Sequence, residues 1–570
     1  MRIRSLFRKS ARAALVAALM TSAAPVLAQS DPGAYLAARQ AAVENDFAEA
    51  ARYYTQSLLS DPSNPLLLES ALAAQVMLGS VDTGAPIARQ MRRAGVESQL
   101  ANLVLASEAG AEGRWSDIFA ALEEGHEVSP LVDGLFQAWA ALGEGDMTQA
   151  LASFDEVIEG EGMRAYGEYH KALALASVGD FEGADAILAA PENNGRMFSV
   201  RAAIAHAQVL GQLGRTDAAA ELLRSVFGET TDPTIRDLQE RLEAGEQVPF
   251  GMIADAQHGM AEVLFMIATL LEGDARESIT LQYARLAQYL APGDVEITML
   301  VASLLDTMER HGLAAETYAL IAPDSLMFPR AELGRIDALR AGGEDAAAIE
   351  VAKALARSHP DLPFVHAKLA DVLRWDEQYG QAYEAYSRAL ELYAEDDPVR
   401  WRVLFTRAIA AHSQDRWPEA EADFRAALDL RPDQPQVLNY LGYSLVERGE
   451  KLDEALQMIE TAVAAQPDNG AIVDSLGWVL FQLGRYEEAV VHMERAAALE
   501  AVDPIVNDHL GDVYWAVGRK VEAAFQWHRA LSFDPEPELA DRIRLKLEIG
   551  LDAVLEQEGA DPIELANDEG

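Results

Sequence analysis

Small and apolar residues recur at regular intervals in the C-terminal part of the chain. Three segments of similar pattern begin at Pro435, Gly470 and Pro504, so that their starts lie 35 and 34 residues apart. When each start is numbered position 1, a glycine stands at position 8 and an alanine near position 20. These residues are Gly442, Gly477 and Gly511, and Ala455, Ala489 and Ala523. The chain therefore contains a repeat of about 34 residues.

The spacing of the small residues predicts that each repeat is a pair of antiparallel helices. Two such helices approach closely only where their facing side chains are small, and apolar residues at helical spacing fill the groove around the crossing point. A further glycine stands at position 15, where the first helix should end, because glycine tolerates the positive φ of the turn. These glycines are Gly449, Gly484 and Gly518. Each repeat is therefore predicted to be a hairpin of a first and a second helix.

The repeat resembles the tetratricopeptide repeat, whose pattern combines Leu-Gly in the first helix, spaced alanines and aromatic residues, and a closing proline. The unit from Pro504 matches this pattern with Leu510, Gly511, Tyr514, Ala523, Trp527, Ala530 and Pro535. The same register places further starts near residues 31, 65, 99, 131, 165, 200, 261, 296, 329, 363 and 401. The resemblance implies an all-α fold, a tetratricopeptide-repeat α-solenoid in which about fourteen helix hairpins form a right-handed superhelix.

The repeat pattern also predicts how the chain is divided. The period breaks between about Gly228 and Gly259, and apolar residues at four-residue spacing after Pro535 indicate a capping helix over 538–555. The predicted segments are a signal peptide (1–28), an N-terminal repeat array (29–227), an irregular connecting element (228–260), a C-terminal repeat array (261–535), and a capping helix with an acidic tail (536–570). One continuous solenoid with a decorated loop is the alternative.

The N-terminus has the architecture of a secretory signal. Five basic residues precede or flank the start of an apolar run from Ala13 to Met20, and small residues lead to Val26-Leu27-Ala28. We expect cleavage after Ala28 and a periplasmic location in a Gram-negative bacterium. The alternative is a basic amphipathic N-terminus on a cytoplasmic protein. No later segment supplies the roughly 18 apolar residues of a membrane span, so the mature chain is expected to lack an integral membrane segment.

Composition narrows the classes of partner and of chemistry. The 570 residues include 46 basic and 92 acidic side chains, for a formal net charge of −46, which disfavours nucleic acid as a partner. The absence of cysteine excludes disulfides, thiolate metal sites and cysteine nucleophiles. No metalloprotease, phosphate-loop or nucleophile-elbow motif occurs, and the 35 residues after Pro535 are too few for a catalytic domain. We therefore expect no enzyme activity, no cofactor and no metal.

One local cluster of titratable residues invites a different interpretation. His509 stands beside Asp508 and Asp512, which could indicate a metal ligand or an acid–base group. No further ligand lies nearby in the sequence. The ordinary interpretation is a surface histidine beside solvated carboxylates.

The candidate partner-binding residues lie on the first helices. The resemblance implies that positions 2, 5, 9, 12 and 13 face a concave groove, and the spacing of 5, 9 and 12 puts those three on one helix stripe. The candidates are Asn439, Tyr443, Asp474, Trp478, Phe481, Asp508, Asp512 and Trp515, with Arg374 and Trp375 as an extension. The carboxylates would favour a basic segment, and the aromatic rings would anchor it. The alternative is that the aromatic rings pack against neighbouring repeats.

These patterns lead to two functional hypotheses. The C-terminal repeats resemble repeat adaptors of carboxy-terminal processing proteases, which implies a periplasmic adaptor or scaffold. It would hold a peptide or partner protein in the concave groove, with an envelope protease or an assembly complex as a possible partner. The alternative is a structural component of envelope biogenesis, such as outer-membrane, polysaccharide or secretion assembly, that binds through its convex faces.

Overall fold

The computed structural model describes residues 32–190, 200–230, 232–559 and 563. The predicted signal peptide and, apart from residue 563, the predicted acidic tail lie outside these residues. The described residues form 31 α-helices and no β-strand, which confirms the all-α prediction. Two compact units can be distinguished, with the boundary between Ala348 and Ile349 inside one helix.

The first unit contains eighteen complete helices. They are α1 (Pro32–Val43), α2 (Phe47–Ser60), α3 (Pro65–Leu78), α4 (Val81–Arg93), α5 (Gln99–Ala111), α6 (Trp115–Glu123), α7 (Pro130–Gly143), α8 (Met147–Glu159), α9 (Arg164–Ser177), α10 (Phe181–Leu188), α11 (Val200–Gln212), α12 (Thr216–Phe227), α13 (Pro233–Glu243), α14 (Ala256–Leu271), α15 (Glu277–Leu290), α16 (Val295–Thr307), α17 (His311–Tyr318) and α18 (Phe328–Ala341). Helix α19 (Asp345–Ser358) spans the boundary between the units.

The second unit continues with twelve helices. They are α20 (Pro363–Trp375), α21 (Tyr379–Leu392), α22 (Arg400–His412), α23 (Trp417–Leu430), α24 (Pro435–Glu447), α25 (Leu452–Ala465), α26 (Gly470–Gln482), α27 (Tyr486–Leu499), α28 (Pro504–Ala516), α29 (Lys520–Leu531), α30 (Pro537–Ile549) and α31 (Leu551–Glu558). Every predicted repeat start except residue 261 lies within one residue of the first residue of a helix.

The small residues of the repeat lie where the two helices of a hairpin cross. A Cβ added at Gly477 would stand 2.7 Å from Met493 Cγ, and one added at Gly511 would stand 2.4 Å from Trp527 Nε1. The alanines near position 20 are fully buried on the second helices. At position 15, Gly484 has φ +72°, as the turn between the helices requires. The physical reason predicted for the glycine spacing is thereby confirmed.

The segment 228–260 contains a helix that the sequence analysis treated as irregular. Asp232 caps α13 by accepting hydrogen bonds from the backbone N–H groups of Thr234 and Ile235, and Pro233 occupies the first turn. The Asp232-Pro233 pair, which interrupts the 34-residue repeat pattern, is thus the start of a helix. The proposed division into two repeat arrays around this segment stays a prediction.

Helices α14 and α15 depart from a regular repeat array. In a solenoid each repeat contacts its neighbours, but within the first unit α14 and α15 also pack against α3, α5, α7 and α9. Gly259 of α14 lies against the Trp139 ring, and Glu262 accepts a 2.7 Å hydrogen bond from the Tyr169 hydroxyl. Arg201 contacts Glu262 at 2.7 Å. The chain thus covers the first helices of its own N-terminal repeats.

The predicted capping helix is two helices. The chain turns between α30 and α31 at Gly550, which has φ +85° and lies against the Trp515 ring.

Along the described part of the chain, no helix combines the length and the apolar character that membrane crossing needs.

Candidate functional site

The ten candidate residues lie on four first helices of the second unit. Arg374 and Trp375 come from α20, and the others come from α24, α26 and α28. Helix α26 contacts both α24 and α28, and α20 contacts α22. We call the side chains at positions 2, 5, 9, 12 and 13 of α20, α22, α24, α26 and α28 the first-helix face.

Three candidate carboxylates on this face are buried. Asp474, Asp508 and Asp512 are 5%, 2% and 1% exposed. Lys546 of α30, itself 1% exposed, contacts two of them. Its Nζ donates to Asp508 Oδ2 at 2.8 Å and to Asp512 Oδ2 at 2.7 Å. These two carboxylates are therefore partnered by the chain's own C-terminal helix.

A second cation from the same helix lies near the pair. Arg542 NH1 is 3.7 Å from Asp512 Oδ2 and 4.0 Å from Asp508 Oδ2, and Arg542 Nε donates to Glu558 of α31 at 2.8 Å. Burial, together with the nearby Asp512 carboxylate, raises the pKa of Asp508 to about 6, against the lowering effect of Lys546. Two cations of α30 thus lie within 4.0 Å of the two carboxylates of α28.

The third carboxylate, Asp474, pairs with His509. His509 Nδ1 lies 2.9 Å from Asp474 Oδ2, and the imidazole stacks on the Trp478 ring with centroids 4.0 Å apart. Burial lowers the pKa of His509, but the surrounding carboxylates, Asp474 first, outweigh it and raise the pKa above 6.5. The prediction that His509 is a surface histidine is wrong, because His509 is buried and forms an ion pair with Asp474. No metal-binding group of three or more such side chains occurs among the described residues.

The candidate aromatic residues differ in how far neighbouring side chains cover them. Phe481 is buried and stacks on Trp478 with centroids 5.0 Å apart. Trp515 donates its Nε1–H to Asp552 of α31 at 3.0 Å, so the C-terminal helices partly cover it. Trp478 is half-buried and donates to the exposed Glu447 at 2.9 Å.

The open part of the face lies on α24 and the neighbouring edge of α26. Asn439, Tyr443 and Trp478 are each half-buried, and Glu447 hydrogen-bonds both Tyr443 and Trp478. The side-chain oxygen of Asn439 is buried, and no described residue donates a hydrogen bond to it. Asn439 thus retains an unused acceptor beside two aromatic rings.

The candidates on α20 form a separate group. The Arg374 guanidinium donates to the Tyr386 hydroxyl at 3.2 Å, and that hydroxyl donates to Asp371 at 2.6 Å. The Trp375 ring is 44% exposed, and Arg374 lies 5.5 Å from its centroid. These residues are held by their own hairpin and lie two first helices away from Asn439.

The repeat pattern does not predict the partners of the candidate residues. Lys546 comes from outside the repeats. Glu447 stands at position 13 of its repeat, on the predicted face, but was not among the candidate residues. A signal for Lys546 existed: it lies three residues after Ile543, on the apolar stripe of the predicted capping helix. A lysine on a buried stripe calls for a buried carboxylate.

Comparison with known proteins identifies the repeats. Two family models described as tetratricopeptide repeat match the second unit, one at residues 364–433 and the other at 441–504 and 475–536. A TPR repeat-containing protein of Pseudomonas aeruginosa is 32% identical over 178 residues, which make up 31% of this chain and 29% of that protein. The match thus spans less than a third of the relative's length.

Several solved structures match much of the chain at low identity. The Cut9–Hcn1 hetero-tetramer of APC/C is matched over 90% of this chain and 95% of that chain, at 14% identity and a TM-score of 0.38. Yeast Tom70 is matched over 75% of this chain and 98% of that chain, at 14% identity and a TM-score of 0.35. The family matches carry the assignment: residues 364–433 and 441–536 of the chain are tetratricopeptide repeats.

Proposed function

We propose that the protein is a periplasmic adaptor or scaffold that binds a peptide or partner protein on the open part of the first-helix face. The tetratricopeptide repeats support a role in protein–protein interaction rather than in catalysis. An envelope protease or an assembly complex is the proposed class of partner. The periplasmic location rests on the sequence of residues 1–28, and N-terminal sequencing of the protein purified from cells should begin at Gln29.

The observation that carries this proposal is the unused acceptor on Asn439. Buried polar atoms are almost always hydrogen-bonded, and the Asn439 side-chain oxygen has no partner among the described residues. A rotation of the half-buried Asn439 amide would bring this oxygen to the surface, where a backbone N–H of a bound peptide would donate to it. Tyr443 and Trp478 stand on either side of the contact between α24 and α26, where their rings offer contact area at small entropic cost.

The structure changes the expected chemistry of the partner. A basic segment was expected because the face carries three candidate carboxylates. Asp508 and Asp512 contact Lys546, and Asp474 contacts His509, so these charges are already balanced within the chain. Recognition on α24 and α26 would depend on the Asn439 amide and on aromatic contacts. We therefore expect partner affinity to depend only weakly on salt.

A matched pair of double variants tests the site. Tyr443→Ala/Trp478→Ala removes the open aromatic side chains of the first-helix face. Val521→Ala/Phe525→Ala removes two exposed apolar side chains from the second helix α29. Proteins that wild type captures from cells should be lost with the first variant and kept with the second. Retention of every captured protein by the first variant would contradict the proposal.

The same pair tests the second candidate, an envelope-biogenesis component that binds through its convex, second-helix faces. Its support is that Val521 and Phe525 are 83% and 65% exposed on α29, and that Val491 of α27 is 66% exposed. Exposed apolar groups on the second helices of neighbouring repeats would form an interaction surface if they lay close together. In this case the Val521→Ala/Phe525→Ala variant should lose the captured proteins, and the Tyr443→Ala/Trp478→Ala variant should keep them.

A further inference from the structure

The first unit contains a cavity far from the residues considered so far. It has a volume of about 280 Å³ and lies between α4, α5, α6 and α7. This volume equals that of about nine water molecules in the liquid. The cavity is therefore large enough for a small organic molecule or for one residue of a peptide.

Arg92 of α4 lines this cavity without an anionic partner. Its Nε is buried and has no hydrogen-bond partner among the described residues. Its guanidinium donates a long hydrogen bond of 3.5 Å to Asn102 Oδ1. No described carboxylate lies within 4.0 Å of the Arg92 guanidinium. Burial lowers the pKa of Arg92 despite the attraction of the more distant Glu124. An uncompensated guanidinium is unusual in a chain with twice as many acidic as basic side chains.

Three of the four carboxylates that line the same cavity pair with other cations or accept a backbone hydrogen bond. Glu108 accepts from Arg89 at 2.5 Å and from Arg114 at 3.3 Å, and Asp117 also pairs with Arg114. The remaining two are Asp133, which accepts the Val128 backbone N–H at 3.0 Å, and Glu124, which lies 3.5 Å from His126 Nε2. The lining carries three arginines and four carboxylates, and Arg92 is the arginine among them that has no described carboxylate within 4.0 Å.

The rest of the lining fixes the size and polarity of a ligand. Leu105, Ala109, Ile118 and Phe136 provide apolar wall. One guanidinium without an ion-pair partner can pair with one negative charge, and its planar donors match a carboxylate. We propose that this cavity binds a monocarboxylate with a short apolar body, whose carboxylate pairs with Arg92. The source is either a free small acid or the C-terminal carboxylate of a peptide that ends in an apolar residue.

A more highly charged anion would fit the cavity less well. Glu108, Glu124 and Asp133 all line it, and they would repel the second charge of a phosphate or a dicarboxylate. The proposed selectivity is thus for single charge combined with apolar bulk.

Calorimetric titration of the full chain tests the proposal with defined probes. Hexanoate should bind, whereas hexanamide, which has the same shape without the charge, should bind at least about tenfold more weakly. Inorganic phosphate should bind more weakly than hexanoate. The peptides acetyl-Ala-Ala-Leu and its C-terminal amide distinguish the two sources. Binding of the free-acid peptide in preference to hexanoate assigns a peptide terminus, and the reverse preference assigns a free acid.

Three variants connect the binding to the cavity. Arg92→Gln should weaken hexanoate about tenfold or more, and Arg93→Gln, which changes the exposed neighbour on the same helix, should leave it unchanged. Ala121→Met fills the cavity without removing a charge and should abolish binding. Equal binding of hexanoate and hexanamide by wild type would overturn the proposal without any variant. Hexanoate binding to a folded Arg92→Gln protein at wild-type affinity, or phosphate binding as tight as hexanoate, would overturn it as well.

Discussion

At the residue scale, the most consequential group is the ammonium of Lys546. It is fully buried between two carboxylates at 2.7 to 2.9 Å. A buried ion pair contributes little net stability compared with apolar residues, but removing one partner leaves an uncompensated charge. Loss of this one cation should therefore destabilise the docking of α30 on the repeats.

Replacing Lys546 with methionine should destabilise the protein by about 3–5 kcal/mol, since Asp508 and Asp512 would remain buried with only the more distant Arg542 as a cation. Arg544→Met is the matched control, because Arg544 lies on the same helix with an exposed side chain, and such changes usually stay within about 0.5 kcal/mol. Urea unfolding followed by tryptophan fluorescence measures both. Equal losses in the two variants would show that Lys546 does not hold the cluster.

The ion pair of His509 predicts a pH dependence. Its pKa in the folded protein is raised above 6.5, which is the unperturbed value, by the carboxylates of Asp474, Asp508 and Asp512. The stability contributed by the imidazolium is complete below about pH 6.5 and is lost as the pH rises through the folded pKa. Wild type should therefore lose stability relative to His509→Gln as the pH rises above about 6.5. Parallel stability profiles of the two proteins over this range would contradict the ion pair.

At the scale of helices, the repeat architecture follows from residues that allow close approach. Gly511 lies against the Trp527 ring and Gly477 against Met493, at the crossing of the two helices of each hairpin. These contacts are local and recur in every clear repeat, so periodicity alone was enough to predict the helix starts of most of the chain. Helix α13 was missed, because its Asp232-Pro233 start was taken for a break in the pattern.

Substitution at position 8 tests the close approach. Gly511→Ala adds a Cβ that would lie 2.4 Å from Trp527 Nε1, and overpacking of this kind costs about 1–3 kcal/mol. Gly380→Ala is the control, because Gly380 lies in α21 and its added Cβ would meet only the Gln414 side chain at 3.5 Å. The control should be neutral or slightly stabilising, since alanine favours helix. Thermal unfolding distinguishes the two, and an unchanged melting temperature for Gly511→Ala would contradict the packing.

The candidate face was less predictable than the helices, for a physical reason. Repeat position places Asp508 and Asp512 on the first-helix face, but their state depends on Lys546, 34 residues or more away along the chain. A similar limit applies to α14 and α15, whose contacts with the N-terminal first helices depend on the path of the chain. Periodicity reports which side of a helix a residue occupies, but it does not report what covers that side.

At the scale of the whole molecule, the chain uses its own helices to fill much of the surface that repeats offer to partners. In the first unit, α14 and α15 pack against α3, α5, α7 and α9. In the second unit, α30 and α31 engage Asp508, Asp512 and Trp515. Among the candidate residues of α24, α26 and α28, Asn439, Tyr443 and Trp478 are half-buried and have no hydrogen bond or ion pair with α30 or α31. Partner binding should therefore concentrate there.

Site-specific photo-crosslinking in intact cells tests this conclusion most directly. A photoreactive phenylalanine analogue replaces Tyr443 on the open face in one strain and Phe525 on the exposed side of α29 in another, so that an aromatic side chain is kept at each position. Irradiation followed by mass spectrometry should identify a partner joined to position 443 and none joined to position 525. A partner joined to position 525 alone would contradict the account.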